Sequence, residues 1–166
     1  MPARGDHVQT WATPPYIVDA IGLPFDLDCC AQPHTAKVQR HYAIERGEDG
    51  MRLPWLDATW CNPPYAEQDR WLARAAYFGT LGVRVACLVL ASTSSLYWRP
   101  LTFECGTVDF YEGRIAFLDD DGVPNVGASF SSALVLYGPG FAPNVVRIRS
   151  AATGHLIGEP MQRRLL

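Results

Sequence analysis

The chain has 166 residues, 48% of them hydrophobic and 19% charged, with a formal net charge of −3. That length and apolar content suit one compact domain with its own core and exclude a disordered segment. The acidic balance excludes a uniformly basic, salt-driven nucleic-acid binder, but leaves room for a local basic groove.

Residues 1–11 read as a loose leading segment, with no apolar core for a signal peptide. Thr13-Pro14 predicts a helix start, an N-cap followed by proline at the first helical position, for a short helix that closes near Gly22. Phe25 to Asp28 predicts a short strand ending near Asp28, and Thr35 to Tyr42 a short helix. Arg46 to Pro54 is a glycine-containing loop, and Ala58 to Cys61 the next short strand. Glu67 to Thr80 is the clearest helix, because Trp71, Leu72, Ala75, Ala76 and Phe78 form an apolar stripe at helical spacing. Val83 to Ala91 is a β-branched apolar run, read as a buried central strand. Its apolar core is too short to span a bilayer, so the protein is expected to be soluble and cytoplasmic.

Ser94 to Leu101 reads as a brief helix or turn. Thr107–Tyr111 and Arg114–Leu118 flank Glu112-Gly113 and predict a hairpin or bulged pair. An acidic loop, Asp119 to Ser129, leads to Ser132–Tyr137, read as the last apolar strand. The alternation predicts an α/β fold with a largely parallel sheet and antiparallel pairing at one edge. Residues 1–140 form the expected domain, and 141–166 a basic extension packed on it or trailing from it. That extension holds Arg147, Arg149, Arg163 and Arg164 against Glu159, a local +3 (four minus one). It suits either a solvated tail or an electrostatic handle on nucleic acid.

Five cysteines, Cys29, Cys30, Cys61, Cys87 and Cys105, form no C-x-x-C pair and sit mostly in apolar runs. They read as buried thiols of a reducing compartment, and no metal site is expected. The positive charge is nearly all arginine, with Lys37 the one lysine.

The chemically informative stretch is Asn62-Pro63-Pro64-Tyr65, placed between a strand and an amphipathic helix. Ligands of α/β sheets bind at the carboxyl ends of strands, where this loop falls. Asn62 and the Pro63 carbonyl offer two acceptors on a rigid backbone, suited to an NH2 group. An exocyclic amine is a poor nucleophile because its lone pair is delocalised into the ring; two acceptors localise that pair. Tyr65 adds a ring on which a flat base stacks.

This tetrapeptide resembles the catalytic motif of S-adenosylmethionine-dependent amino-methyltransferases. The ordered set Trp11-x-Thr13-Pro14, Phe25-Asp26-Leu27-Asp28-x-x-Ala31, Ala36-Lys37, Tyr42, Asp49-Gly50, Trp55, Asn62 to Tyr65, Trp71 and Gly113-Arg114-x-x-Phe117 resembles the phage-type Dam family of DNA N-6-adenine-methyltransferases, from Trp11 to about Tyr137. The resemblance implies a Rossmann-like methyltransferase fold with a reversed hairpin at one edge. It also implies S-adenosylmethionine as donor and adenine of DNA as acceptor. By motif, Asn62, Pro63, Pro64 and Tyr65 form the target-base pocket. Thr13 and Pro14 match the segment at the cofactor's methionine end, Asp28 and Ala31 the cofactor strand end, and Asp49 the acid facing the cofactor's adenine amine. Candidate DNA contacts are Thr93, in the loop Ser92 to Ser95, and Arg114.

The usual Gly-rich turn after the first strand is replaced here by Cys29-Cys30-Ala31, and only 34 positions (62 minus 28) separate Asp28 from Asn62. Asp28 therefore matches either the first-strand acid of a trimmed sheet or the second-strand acid of a sheet missing its first strand. The tetrapeptide alone also suits methylation of a protein glutamine or of RNA, and the missing turn suits an inactive DNA-binding relative. Recognition sequence, oligomeric state and role, in phage protection or restriction-modification, are not read from the sequence.

Overall fold

The computed structural model describes residues 11–126 and 128–162; the leading residues 1–10 and the arginines Arg163 and Arg164 lie outside the described residues. The elements are α1 (Pro15–Asp19), β1 (Leu27–Asp28), β2 (Thr59–Cys61), α2 (Gln68–Thr80), β3 (Val85–Leu90), α3 (Trp98–Leu101), β4 (Thr107–Glu112), β5 (Phe117–Leu118), β6 (Pro124–Asn125), β7 (Ser132–Tyr137), β8 (Val145–Ser150) and β9 (Leu156–Gln162). Seven of these strands form one mixed sheet, in the order β1-β2-β3-β7-β4-β8-β9. β1, β2 and β3 pair in parallel, β7 is antiparallel to both β3 and β4, and β8 is parallel to β4. Five strands thus point one way, while β7 and β9 run against them.

Alternate residues of each strand face two cores. Val85, Cys87 and Val89 of β3 pack with Trp71, Leu72 and Ala75 of α2 and with Trp98 of α3. Ala86 and Leu88 pack on the other face with Ile17 and Val18 of α1. Helices on both faces of the sheet make the α/β layering the alternation predicted, but the sheet is mixed, parallel from β1 to β3 and with three antiparallel pairings beyond. Cys29, Cys61 and Cys87 lie side by side across β1 to β3, and burial pushes all three thiols up, Cys29 to about 12. They are small protonated hydrophobes of the core. Among the described residues, no helix is long and apolar enough to cross a membrane.

Thr35–Tyr42 is not helical; it turns and then runs beside β1, with His41 bridged in parallel to Asp28. Thr107–Tyr111 and Arg114–Leu118 make no hairpin. β5 pairs with β6 instead, and β4 takes β7 and β8 as neighbours. Antiparallel pairing comes from β7, which inserts between β3 and β4, and from β9, which pairs with β8 at the edge of the sheet. Ser132–Tyr137 is not the last strand, because β8 and β9 extend the same sheet.

Arg147 and Arg149 are neither solvated nor available as a handle. They lie two apart on β8, so both side chains project from one face toward Asp109 of β4. Arg147 donates to both carboxylate oxygens (2.6 and 2.8 Å), and Arg149 donates to one of them at 2.5 Å. Arg149 also donates to the carbonyls of Ala20 and Gly154, which ties the turn after α1 to β8.

Candidate active site

β2 delivers the chain to Asn62 at the carboxyl end of the parallel strands, between the ends of β1 and β3. Pro64 holds an extended conformation (φ −56°, ψ 125°), and Tyr65–Glu67 makes one 3-10 turn before α2 begins. Two prolines with fixed φ hold this backbone in an open shape that neither strand nor helix would keep.

Asn62 Nδ2 donates to Thr13 Oγ1 at 3.2 Å, across 49 positions of sequence. Thr13 is fully buried and does not cap α1; Pro14 takes the N-cap place and makes no side-chain cap bond. The hydroxyl that the sequence offered to the helix is used by the site. Its segment is anchored from the far side, where Ala12 exchanges two backbone hydrogen bonds with Leu118 of β5 (2.8 and 2.9 Å).

Asp28 ends β1 beside Trp60 of β2 and is 3% exposed. Its carboxylate accepts from the backbone N–H groups of Cys30 (3.3 Å) and Lys37 (3.0 Å). Burial pushes the carboxyl up to about 6; the two amides and the Lys37 charge oppose the shift without cancelling it.

Two adjoining cavities open at this strand end. One, of about 40 Å³, is lined by Thr13, Asp28, Lys37, Trp60 and Asn62 among others. Its neighbour, about 130 Å³, is lined by Ala31, Ile44, Glu45, Asn62 and Pro64, and the two share Cys30, Gln32 and Asn62. Asn62 thus stands between a polar, charged recess and a more apolar one. On its other side, Tyr65 meets Phe130 edge-on, with ring centroids 5.4 Å apart, and Phe130 packs in turn on Phe117.

The family model described as DNA N-6-adenine-methyltransferase (Dam) matches residues 4–153, which include every element of this site. The chain belongs to the DNA N-6-adenine-methyltransferase (Dam) family. Membership makes it a DNA adenine methyltransferase. A curated relative, the DNA N-6-adenine-methyltransferase of Haemophilus phage HP1, is 26% identical over 118 residues, 67% of each chain. No solved structure matches the chain.

Within this Dam-family site, Thr13, Asp28, Ala31 and the Asn62–Tyr65 loop come together. Asp49 does not join them. Its Oδ1 accepts from the Met51 N–H at 2.8 Å, its backbone carbonyl closes a turn onto Arg52 and Leu53, and it lines neither cavity. The glycine after it has a packing cause, since a Cβ at Gly50 would overlap the Cys29 carbonyl. Thr93 is exposed in the loop after β3, at the same end of the sheet. Arg114 follows Gly113, whose φ of 85° reverses the chain after β4, and its Nη1 donates to Ser131 Oγ at 2.5 Å. That bond joins the end of β4 to the start of β7, at the rim of the site.

The sequence reading missed Gln68 and Phe130. Gln68 is 2% exposed; its amide donates to the Leu90 carbonyl, Ser92 Oγ and Tyr97 Oη, and accepts from the Leu90 N–H. It fixes the start of α2, just after Tyr65, to the end of β3. The signal was present: Gln68 stands at the i position of the buried stripe completed by Trp71, Leu72 and Ala75. A polar residue in such a stripe marks a buried hydrogen-bonding task. Phe130 was an isolated aromatic between serines, with nothing in sequence to aim it at Tyr65.

Proposed function

We propose that this methyltransferase transfers the methyl group of S-adenosylmethionine to N6 of an adenine flipped out of DNA, in the cytoplasm of a bacterial or phage-infected cell. The observation that carries the reading is the Asn62–Thr13 hydrogen bond. It joins the loop suited to an amino group with the segment matched to the cofactor's methionine end. The fold is read as a trimmed Rossmann-like methyltransferase sheet, and the parallel pairing of β1 directly on β2 supports Asp28 as its first-strand acid.

The residues present fit the cofactor. Asp28 offers a buried carboxylate for its ammonium, Thr13 walls that end, with Pro14 next to it in the chain, and Ala31 lines the more apolar recess beside it. Bound there, the cofactor supplies an electrophilic methyl on a sulfonium. The chain's own work is to hold and polarise the acceptor. With Nδ2 committed to Thr13, the Asn62 amide has one orientation, and its Oδ1 and the Pro63 carbonyl accept from N6. Those bonds draw the nitrogen toward tetrahedral geometry and concentrate its lone pair for in-line attack. Pro63 and Pro64 keep the acceptors fixed, so little reorganisation is needed at the moment of transfer. The Tyr65 ring stacks on the extruded base and offsets part of the few kcal/mol that unstacking costs. Its edge-on contact with Phe130 holds the ring in place. Thr93 and Arg114, at the rim, contact the DNA backbone.

The test is Asn62→Ala, assayed with labelled cofactor and DNA, with thermal melting as the folding control. A loss of roughly 10²–10³-fold in kcat with an intact melt is expected, and Tyr65→Ala should lower the rate in the same way. Full N6 methylation by purified Asn62→Ala would overturn the mechanism.

A further inference from the structure

The one lysine of the chain, Lys37, lines the recess that also holds Thr13, Asp28 and Asn62. Its backbone N–H donates to Asp28 Oδ2 at 3.0 Å, so the loop that carries it is fastened to the carboxylate. Its side chain is partly buried, and burial lowers the pKa of its ammonium against the pull of Asp28. Among the described residues, eight ion pairs form, and none includes Lys37. The recess therefore presents one partly desolvated cation and one buried anion, both held on the β1 end. A cation in such a place is stabilised by an anion that enters with the ligand.

We propose that Lys37 binds the carboxylate of the cofactor's amino-acid end, so that Lys37 and Asp28 together recognise a zwitterion. The assignment rests on the S-adenosylmethionine reading given above. Electrostatics decides the partner. The cofactor carries an ammonium, a sulfonium and one carboxylate, and a lysine repels the first two. With Asp28 on the ammonium and Lys37 on the carboxylate, the amino-acid end enters the recess in one orientation. Lysine suits the task because a compact charge on a flexible stem follows a small carboxylate. Among the described residues, arginine carries the positive side of every ion pair made by Lys or Arg, as at Asp57 and Asp109.

Isothermal titration calorimetry with two ligands tests this. S-adenosylhomocysteine keeps the amino-acid end; 5′-methylthioadenosine keeps the adenosine and sulfur and lacks that end. In Lys37→Met, affinity for S-adenosylhomocysteine should fall about tenfold or more, while affinity for methylthioadenosine stays within about twofold. Lys37→Arg should recover part of the loss. Equal weakening of both ligands, or no weakening of S-adenosylhomocysteine, would overturn the assignment and leave the cofactor reading standing. If the wild-type protein binds neither ligand, the cofactor reading falls, and the Lys37 assignment with it.

Discussion

Asp28 and Asp109 are both buried in the sheet, 3% and 0% exposed, yet they are answered differently. Asp109 meets two guanidiniums that the chain itself supplies from β8. Asp28 meets two backbone amides, with the charge of Lys37 nearby but no ion pair to it. The first carboxylate is answered within the fold and serves only to join β4 to β8. The second keeps an unmet electrostatic demand, which burial makes larger. A buried charge with a full set of partners is architecture. A buried charge left short of a counter-ion, in a recess, is where a ligand does the rest.

Substitutions at the two carboxylates should therefore act differently. Asp109→Ala leaves two arginines facing each other without a counter-ion and should lower unfolding stability by roughly 3–5 kcal/mol, measured by denaturant titration. A smaller loss than that at Asp28→Asn would reverse the comparison.

Asp28→Asn should instead relieve a pH-dependent cost in the ligand-free protein. The folded carboxyl titrates near 6 against an ordinary 3.8, so the fold holds a proton that the unfolded chain has released between those values. The charged form costs stability above pH 6, and that cost fades as pH falls toward 4. Asn accepts from only one of the two backbone N–H groups, which offsets part of the gain, so the variant should stand roughly 1–3 kcal/mol better against wild type at pH 8 than near pH 4, read from denaturant midpoints at the two pH values. The same variant should bind S-adenosylhomocysteine more weakly, and wild-type affinity should drop as pH falls below about 6. The smallest effect is expected at the rim: Arg114→Ala removes one exposed bond to Ser131, should cost no more than about 1 kcal/mol of stability, and should reduce the salt slope of DNA binding by about one. An unchanged binding isotherm would remove Arg114 from the interface.

Much of the site was legible because its signals are local. Asn62 to Tyr65 announces itself through two prolines between a strand and an amphipathic helix, and Asp28 through its place at the end of an alternating run. What was not legible depends on long-range pairing. Thr13 carries the pattern of a helix cap, and only a partner 49 positions away diverts it. The run from Thr107 to Leu118 has the look of a hairpin, because sequence offers the nearest strand as partner. The structure gives β4 partners from residues 133–136 and 145–150. Arg147 and Arg149 looked like surface charge because nothing local shows a buried aspartate on another strand. Thr35 to Tyr42 lacked the apolar stripe that would have held it helical against the tertiary demand of the β1 edge.

The insertion of β7 between β3 and β4 has a consequence for how the molecule is made. On a growing chain, β3 and β4 emerge with no neighbour between them, each with an open edge of unpaired backbone groups and apolar side chains. The strand that closes both gaps begins twenty positions after β4 ends (132 minus 112), and the arginines that answer Asp109 come later still. The central sheet is therefore a late event, built on long-range contacts and slow for its size. A product released before about residue 150 has its Asn62–Tyr65 loop but no completed sheet to carry it, and should be cleared or aggregate rather than modify DNA. Incomplete copies of this methyltransferase would thus be silent.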